Sequence, residues 1–139
     1  MSIRLELAAD SDYLRVGATG HFSLSEAKRT FLEMLEAVAR HTVKKVLFDG
    51  RELTGEPETM ERFFYGEFAA KTVRAFADRG VSPATQFAYV LERPVLDPQR
   101  FGQIVAKNRG MSVEVFETNG AALEWLEVTP ASKPDAGNR

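Results

Sequence analysis

Apolar and polar positions change period several times along this chain, and each change marks an element. Ile3, Leu5 and Leu7 alternate with Arg4 and Glu6. Leu14, Val16 and Ala18 alternate with Arg15 and Gly17. Period two is the signature of a half-buried strand. Only the polar stretch Ala9-Asp10-Ser11-Asp12 separates the two runs, too short for a crossover, so they predict an antiparallel hairpin. The spacing then lengthens: Leu24, Ala27, Phe31, Leu35 and Val38 recur at three- and four-residue steps and line one helix face. Ser23 and Glu26 have the S-x-x-E spacing of a capping box, which starts this helix at about Leu24. It ends near Arg40-His41.

The segment Lys44–Gly55 reads as a buried parallel strand in which Val46, Leu47 and Phe48 fill a sheet. Asp49-Gly50 is the expected exit from that strand, at the carboxyl edge where open α/β sheets receive ligands and partners. Glu56-Pro57-Glu58 then opens a second helix, since proline suits a first turn and carboxylates suit the positive end of the helix dipole. No proline interrupts before Asp78 and Gly80 is the stop, giving a helix of about 22 residues. It carries Met60, Phe63, Phe64, Tyr65, Phe68 and Phe76. Successive helical residues point about 100° apart. Phe63, Phe64 and Tyr65 therefore cannot all face one sheet, and at least one must meet a loop or another subunit.

Val81-Ser82-Pro83 is a turn, and Phe87–Leu91 is the next buried strand. Asp97-Pro98 opens a helix with Phe101, Ile104 and Val105 inward and Gly110 closing it. Val113, Val115 and Phe116 make the last strand, and Asn119 caps a final helix containing Leu123, Trp125 and Leu126. The order β-β-α-β-α-β-α-β-α predicts an α/β fold with a mixed, mainly parallel sheet, an N-terminal antiparallel hairpin and about four helices. Residues 1–128 read as a single domain. The polar, aperiodic stretch 129–139 reads as a disordered C-terminal tail.

Composition narrows the chemistry. At 139 residues, 44% hydrophobic and 27% charged, the chain suits one globular domain. The net charge of −2, with Lys and Arg scattered among Asp and Glu, argues against nucleic acid as a partner. There is no cysteine, which excludes disulfides, thiolate metal sites and a cysteine nucleophile. The opening MSIRLELAAD lacks the apolar run of a signal peptide. No stretch approaches the roughly 18 apolar residues of a membrane span, so a cytoplasmic location is expected.

Catalytic constellations are not apparent. Asp49, Glu52, Glu56, Glu58 and Glu61 gather near the sheet edge and suggest a Mg²⁺ or Ca²⁺ site and a metal-dependent hydrolase. Each also has a local reason, as a strand-terminal cap or a helix N-terminal acid, and that reading is preferred, so no metal and no cofactor are expected. His21 and His41 lack metal-ligand spacing. No phosphate loop or nucleophile elbow is present.

At this point the order of elements resembles the STAS fold, the sulfate-transporter and anti-sigma-factor-antagonist domain, and more closely its SpoIIAA-like (STAS/SEC14) branch. The residues that carry the resemblance are Leu14-Arg15-Val16-Gly17-Ala18-Thr19-Gly20 and Lys45-Val46-Leu47-Phe48-Asp49. The aromatic-rich second helix, the Phe87–Leu91 strand and the Val113–Phe116 ending followed by Ala121–Leu126 add to it. The resemblance covers residues 2–127. It implies a non-enzymatic interaction or ligand-sensing module. In the anti-sigma antagonists an Asp-Ser-(Ser or Gly)-Gly segment opens the second helix and its first serine is phosphorylated. The matching positions are about Glu58-Thr59-Met60, without the serine or the glycine. Thr59, or Thr54 before it, remains as a phosphate acceptor, but Glu56, Glu58 and Glu61 would repel the dianion.

Two functions follow as expectations. The first is a STAS-type interaction module, homodimeric or bound to a partner protein, with Met60, Phe63, Phe64, Tyr65 and Phe68 as the binding residues and Asp49, Thr54 and Thr59 as regulatory candidates. The second is a carrier of a lipid or another small apolar molecule, with a cleft under the second helix lined by Met60, Phe64 and Phe68.

Overall fold

A computed structural model describes residues 2–10 and 12–128. The tail predicted over 129–139 lies outside the described residues. Five strands, β1 (Arg4–Ala9), β2 (Leu14–His21), β3 (Lys45–Thr54), β4 (Gln86–Val90) and β5 (Ser112–Phe116), pair in simple sequence order. β1 and β2 are antiparallel, as the hairpin pattern predicts, and the other pairs are parallel. Helices α1 (Leu24–His41), α2 (Thr59–Ala75) and α3 (Phe101–Asn108) connect the parallel strands, and α4 (Asn119–Leu126) follows the last one.

That simple order dictates the layers. Each parallel strand adds beside the previous one, and crossovers share one hand. All three connecting helices must then fall on one face of the sheet. Val46, Phe48, Phe87, Tyr89 and Val113 point to that face and join Phe31, Met34, Leu35, Ala69 and Val73 in the main core. The alternate strand residues Leu47, Ala88 and Val90 point the other way. There Ala122 and Leu126 of α4, with Tyr13, cover them in a second, smaller core. Among the described residues, no helix is long and apolar enough to cross a membrane.

α1 matches its sequence pattern at both ends. Ser23 Oγ accepts from the Glu26 backbone N–H at 3.3 Å, as a cap should. The other half of the expected box is replaced, because Glu26 Oε1 accepts from the Ile3 N–H at 3.0 Å and so ties the helix to the chain before β1.

Four other expectations need correction. β3 does not leave the sheet at Asp49-Gly50 but runs on to Thr54, pairing Glu52, Leu53 and Thr54 with Thr19, Gly20 and His21. Asp49 is satisfied within the strand by Arg51, and Gly50 is there for space: a Cβ would lie 2.8 Å from Leu91 and 2.9 Å from Phe48. The real turn is at Gly55, whose φ of +100° suits glycine. α2 begins at Thr59 and has 17 residues, with Pro57 buried ahead of it. A 3₁₀ turn, Phe76–Arg79, completes the predicted span before Gly80. α3 begins at Phe101 rather than at Asp97-Pro98, and of its three predicted inward residues Val105 is buried, Phe101 is half-buried and Ile104 faces out. The cap of α4 is Thr118, whose hydroxyl accepts from the Ala121 N–H at 3.2 Å, while Asn119 is the first helical residue.

Candidate functional site

α2 is where the chain departs most from a simple amphipathic helix. Its inward residues are small: Gly66, Ala69, Ala70 and Val73. A Cβ at Gly66 would stand 2.5 Å from the Gly102 carbonyl oxygen of α3, so the helices meet almost backbone to backbone. Close approach along that line leaves no room for rings, and the aromatics occupy the flanks instead.

The five binding candidates therefore separate into three groups. Met60 and Phe64, one turn apart, are 55% and 42% exposed. Phe63, half-buried beside them, meets Phe64 edge-on at 5.5 Å and stacks on Phe101 of α3 at 6.3 Å. Ile104, one turn beyond Phe101, is 47% exposed. Met60, Phe63, Phe64, Phe101 and Ile104 thus make an outward apolar face across α2 and α3. Arg109 borders it, with its guanidinium 5.5 Å from the Phe63 ring and 3.5 Å from Glu67. Phe68 lies on the opposite flank against α1, with its ring 6.3 Å from Phe31 and Lys28 above it at 5.3 Å.

Tyr65 alone turns toward the sheet. Its hydroxyl is 2.7 Å from that of Tyr89 on β4, and its ring meets Phe31 edge-on at 6.0 Å. Beside this pair a cavity of about 140 Å³ opens between α2, α3 and the carboxyl ends of β3, β4 and β5. Phe48, Leu53, Ala69, Leu91 and Val115 line it with the two tyrosines. Met60, Phe64 and Phe68, the expected lining, do not contribute. The cavity position follows from the sheet, and its lining follows from the small inward face of α2.

The polar side chains lining the cavity mostly hold the β4–α3 connection in place. Arg62 donates to the carbonyl oxygens of Val95 at 2.8 Å and Pro94 at 3.1 Å. Arg100 donates to Val115 O at 2.6 Å, and Gln103 Oε1 accepts from the Val115 N–H at 2.7 Å. Asp97 accepts from the backbone N–H groups of Gln99 and Phe101 at 3.0 and 2.8 Å. Burial works against ionisation of Asp97. The two backbone donors and the charges of Arg62 and Arg100 outweigh it and keep the carboxyl below its usual range. Burial raises the hydroxyl pKa of both Tyr65 and Tyr89.

The regulatory candidates lie elsewhere. Asp49 pairs with Arg51 through contacts of 2.7 and 2.9 Å on the sheet face opposite α1–α3. The Arg51 side-chain hydrogen bonds lower its pKa against partial burial, with the Arg51 backbone N–H and the charges of Arg51 and Arg15 adding to the shift. Thr54 Oγ1 is 3.0 Å from His21 Nδ1 and 3.3 Å from Gly20 O, at the end of β3. Thr59 is the exposed first residue of α2, just after the Glu58 N-cap whose backbone N–H donates to Glu61 Oε1 at 2.8 Å. The five acids of the sequence do not converge, and among the described residues no three Asp, Glu, His or Cys side chains are placed to hold a metal ion.

Tyr89, Arg62, Leu91 and Arg100 are site residues that the sequence reading passes over. One signal was available for Tyr89. A phenol inside the apolar run Phe87–Val90 needs a hydrogen-bond partner, and its parity places it on the same sheet face as Phe87.

No family model and no curated protein matches the chain. Among solved structures, it is similar to the crystal structure of an anti-sigma factor antagonist from Mycobacterium paratuberculosis. The identity is 14%, with 91% of this chain and 96% of that chain covered and a TM-score of 0.57. It is also similar to an uncharacterized protein of the DUF3478 family with a SpoIIAA-like fold from Shewanella loihica, at 18% identity, 90% and 93% coverage and a TM-score of 0.49. The hairpin, the parallel strands in simple order and the anti-sigma factor antagonist match together establish that this chain has the STAS-type, SpoIIAA-like fold.

Proposed function

We propose that this protein is a non-enzymatic regulatory module of STAS type, acting in the cytoplasm, which associates with a second copy of itself and engages a partner protein through the α2–α3 face. The outward apolar face formed by Met60, Phe63, Phe64, Phe101 and Ile104 carries this reading. Large apolar side chains gathered on one exposed surface mark interaction sites, whereas single ones do not. Aromatics are also the residues that anchor such interfaces. The similarity in fold to an anti-sigma factor antagonist, a protein named for its action on another protein, supports the same reading. Tyr65 has no part in this surface, since its hydroxyl is bonded to Tyr89 inside the domain.

Sedimentation velocity of Phe64→Asp against the parent chain tests the surface. The parent is expected to sediment as a dimer, and the variant to need at least about a tenfold higher concentration to associate. The variant should remain folded, because Phe64 is 42% exposed, and its melting temperature should lose the dependence on concentration that the dimer confers. A variant that dimerises as the parent does would show that this face is not the dimer surface.

A second reading, a carrier of a small apolar molecule, is supported by the cavity of about 140 Å³ under α2. It is compatible with the first reading, since the cavity and the outward face lie on different sides of α2.

A further inference from the structure

The hydroxyl pair beside the cavity leaves a proton without a partner. Tyr65 and Tyr89 bring two O–H groups to one 2.7 Å contact, which uses one of them as donor. Among the described residues neither hydroxyl has another hydrogen-bond partner, so the second O–H donates to nothing in the protein. Tyr89 is only 7% exposed, and a buried donor left unsatisfied is costly. The other surroundings of the cavity are apolar side chains, together with polar groups already bound to backbone.

We propose that this cavity binds a small, neutral, mainly apolar molecule carrying one hydrogen-bond acceptor, a ketone or ester carbonyl, with that oxygen on the Tyr65–Tyr89 hydroxyl pair. The proposal rests on the second reading above and gives its ligand a chemical class. Size sets the first limit. A volume of about 140 Å³ is close to that of an apolar protein cavity that accommodates benzene, and a long acyl chain is several times larger. A lipid is therefore the wrong scale. Charge sets the second limit. The cationic side chains of the lining, Arg62 and Arg100, already donate to the carbonyl oxygens of Val95, Pro94 and Val115, and the Asp97 carboxylate lies within their field, so an anionic ligand would meet no uncommitted positive charge. Chemistry sets the third. The unpaired group is a donor, so the ligand must supply an acceptor, and a hydrocarbon of the same shape would leave the O–H as it is.

Cyclohexanone and methylenecyclohexane have nearly the same shape and differ in the acceptor. Each is titrated into the full chain and followed by ¹H–¹⁵N chemical shifts. Both are expected to shift the amides of Leu91 and Val115, with the ketone binding about fivefold more tightly, the worth of one net hydrogen bond. In Tyr65→Phe/Tyr89→Phe the ketone should fall to the affinity of the alkene, whose own affinity stays the same. Equal binding of the two compounds by the parent chain, or a ketone preference that survives in the double variant, overturns the tyrosine assignment while leaving the cavity as an apolar site. No shift with either compound at millimolar concentration overturns the carrier reading and this proposal together.

Discussion

α1 and α2 lie side by side on the same face of the sheet, yet they solve different packing problems. α1 packs on the sheet with one helix, α2, beside it. Its residues Ala27, Phe31, Met34, Leu35 and Val38 go in, its charged residues stay out, and its cap is local. α2 is held between α1 and α3 and approaches α3 through glycine. Its small residues go in, and its rings divide among an outward face, the α1 flank and the cavity. A helix with one neighbour can use its largest side chains as core. A helix with two close neighbours has to place them at its margins, where they remain available for binding.

Phe31 is the sharpest place to break the contrast, because it is the ring of α1 that reaches α2. It is 1% exposed and lies within 6.3 Å of the rings of Tyr65, Phe68 and Phe87. Phe31→Ala is expected to lower unfolding free energy by about 4 kcal/mol in urea titration, at the cost typical of a buried ring. An effect below about 1 kcal/mol would mean that α1 and α2 are not joined through this ring.

Gly66→Ala comes next. Alanine normally favours a helix interior, but here its Cβ meets the Gly102 carbonyl oxygen at 2.5 Å. The expected result is a loss of about 2 kcal/mol, the usual cost of overpacking. A stabilised variant would show that α2 and α3 have slack between them, and that nothing forces the rings to the margins.

The smallest expected effect is on pH dependence. Burial raises the pKa of Tyr65 and Tyr89 in the folded chain, whereas in the unfolded chain tyrosine ionises near about 10. Above that pH the unfolded state loses protons that the native state keeps. Stability should therefore be at its full value below about pH 10 and fall as pH rises beyond it. Denaturant titrations at pH 8 through 11 should show a shallower alkaline decline in Tyr65→Phe/Tyr89→Phe. Parallel curves for the two proteins would mean that the hydroxyl pair is not buried together.

The same contrast explains what could be read from the sequence. α1, β2, β4 and β5 were legible because one period and one buried face governed each of them. The sequence ends β3 at Asp49-Gly50 because that pair normally marks a turn. Here Arg51, two residues on, satisfies the aspartate within the strand, and the crowding of Phe48 and of the distant Leu91 requires the glycine. The sequence shows that α2 carries more aromatics than one face can hold, but not how they divide. That division depends on where Gly102 of a later helix approaches Gly66. The inward placement that the spacing gives Ile104 fails for the same reason, since rotation of α3 is set by its contact with α2. The pairing of Tyr65 with Tyr89 joins residues 24 positions apart, which periodicity alone does not relate.

Native mass spectrometry of the chain at low micromolar concentration, with Phe64→Asp measured alongside, tests association through the α2–α3 face. A two-chain species is expected for the parent and single chains for the variant, both folded. Single chains for the parent at every concentration, or equal dimer in both proteins, would contradict it.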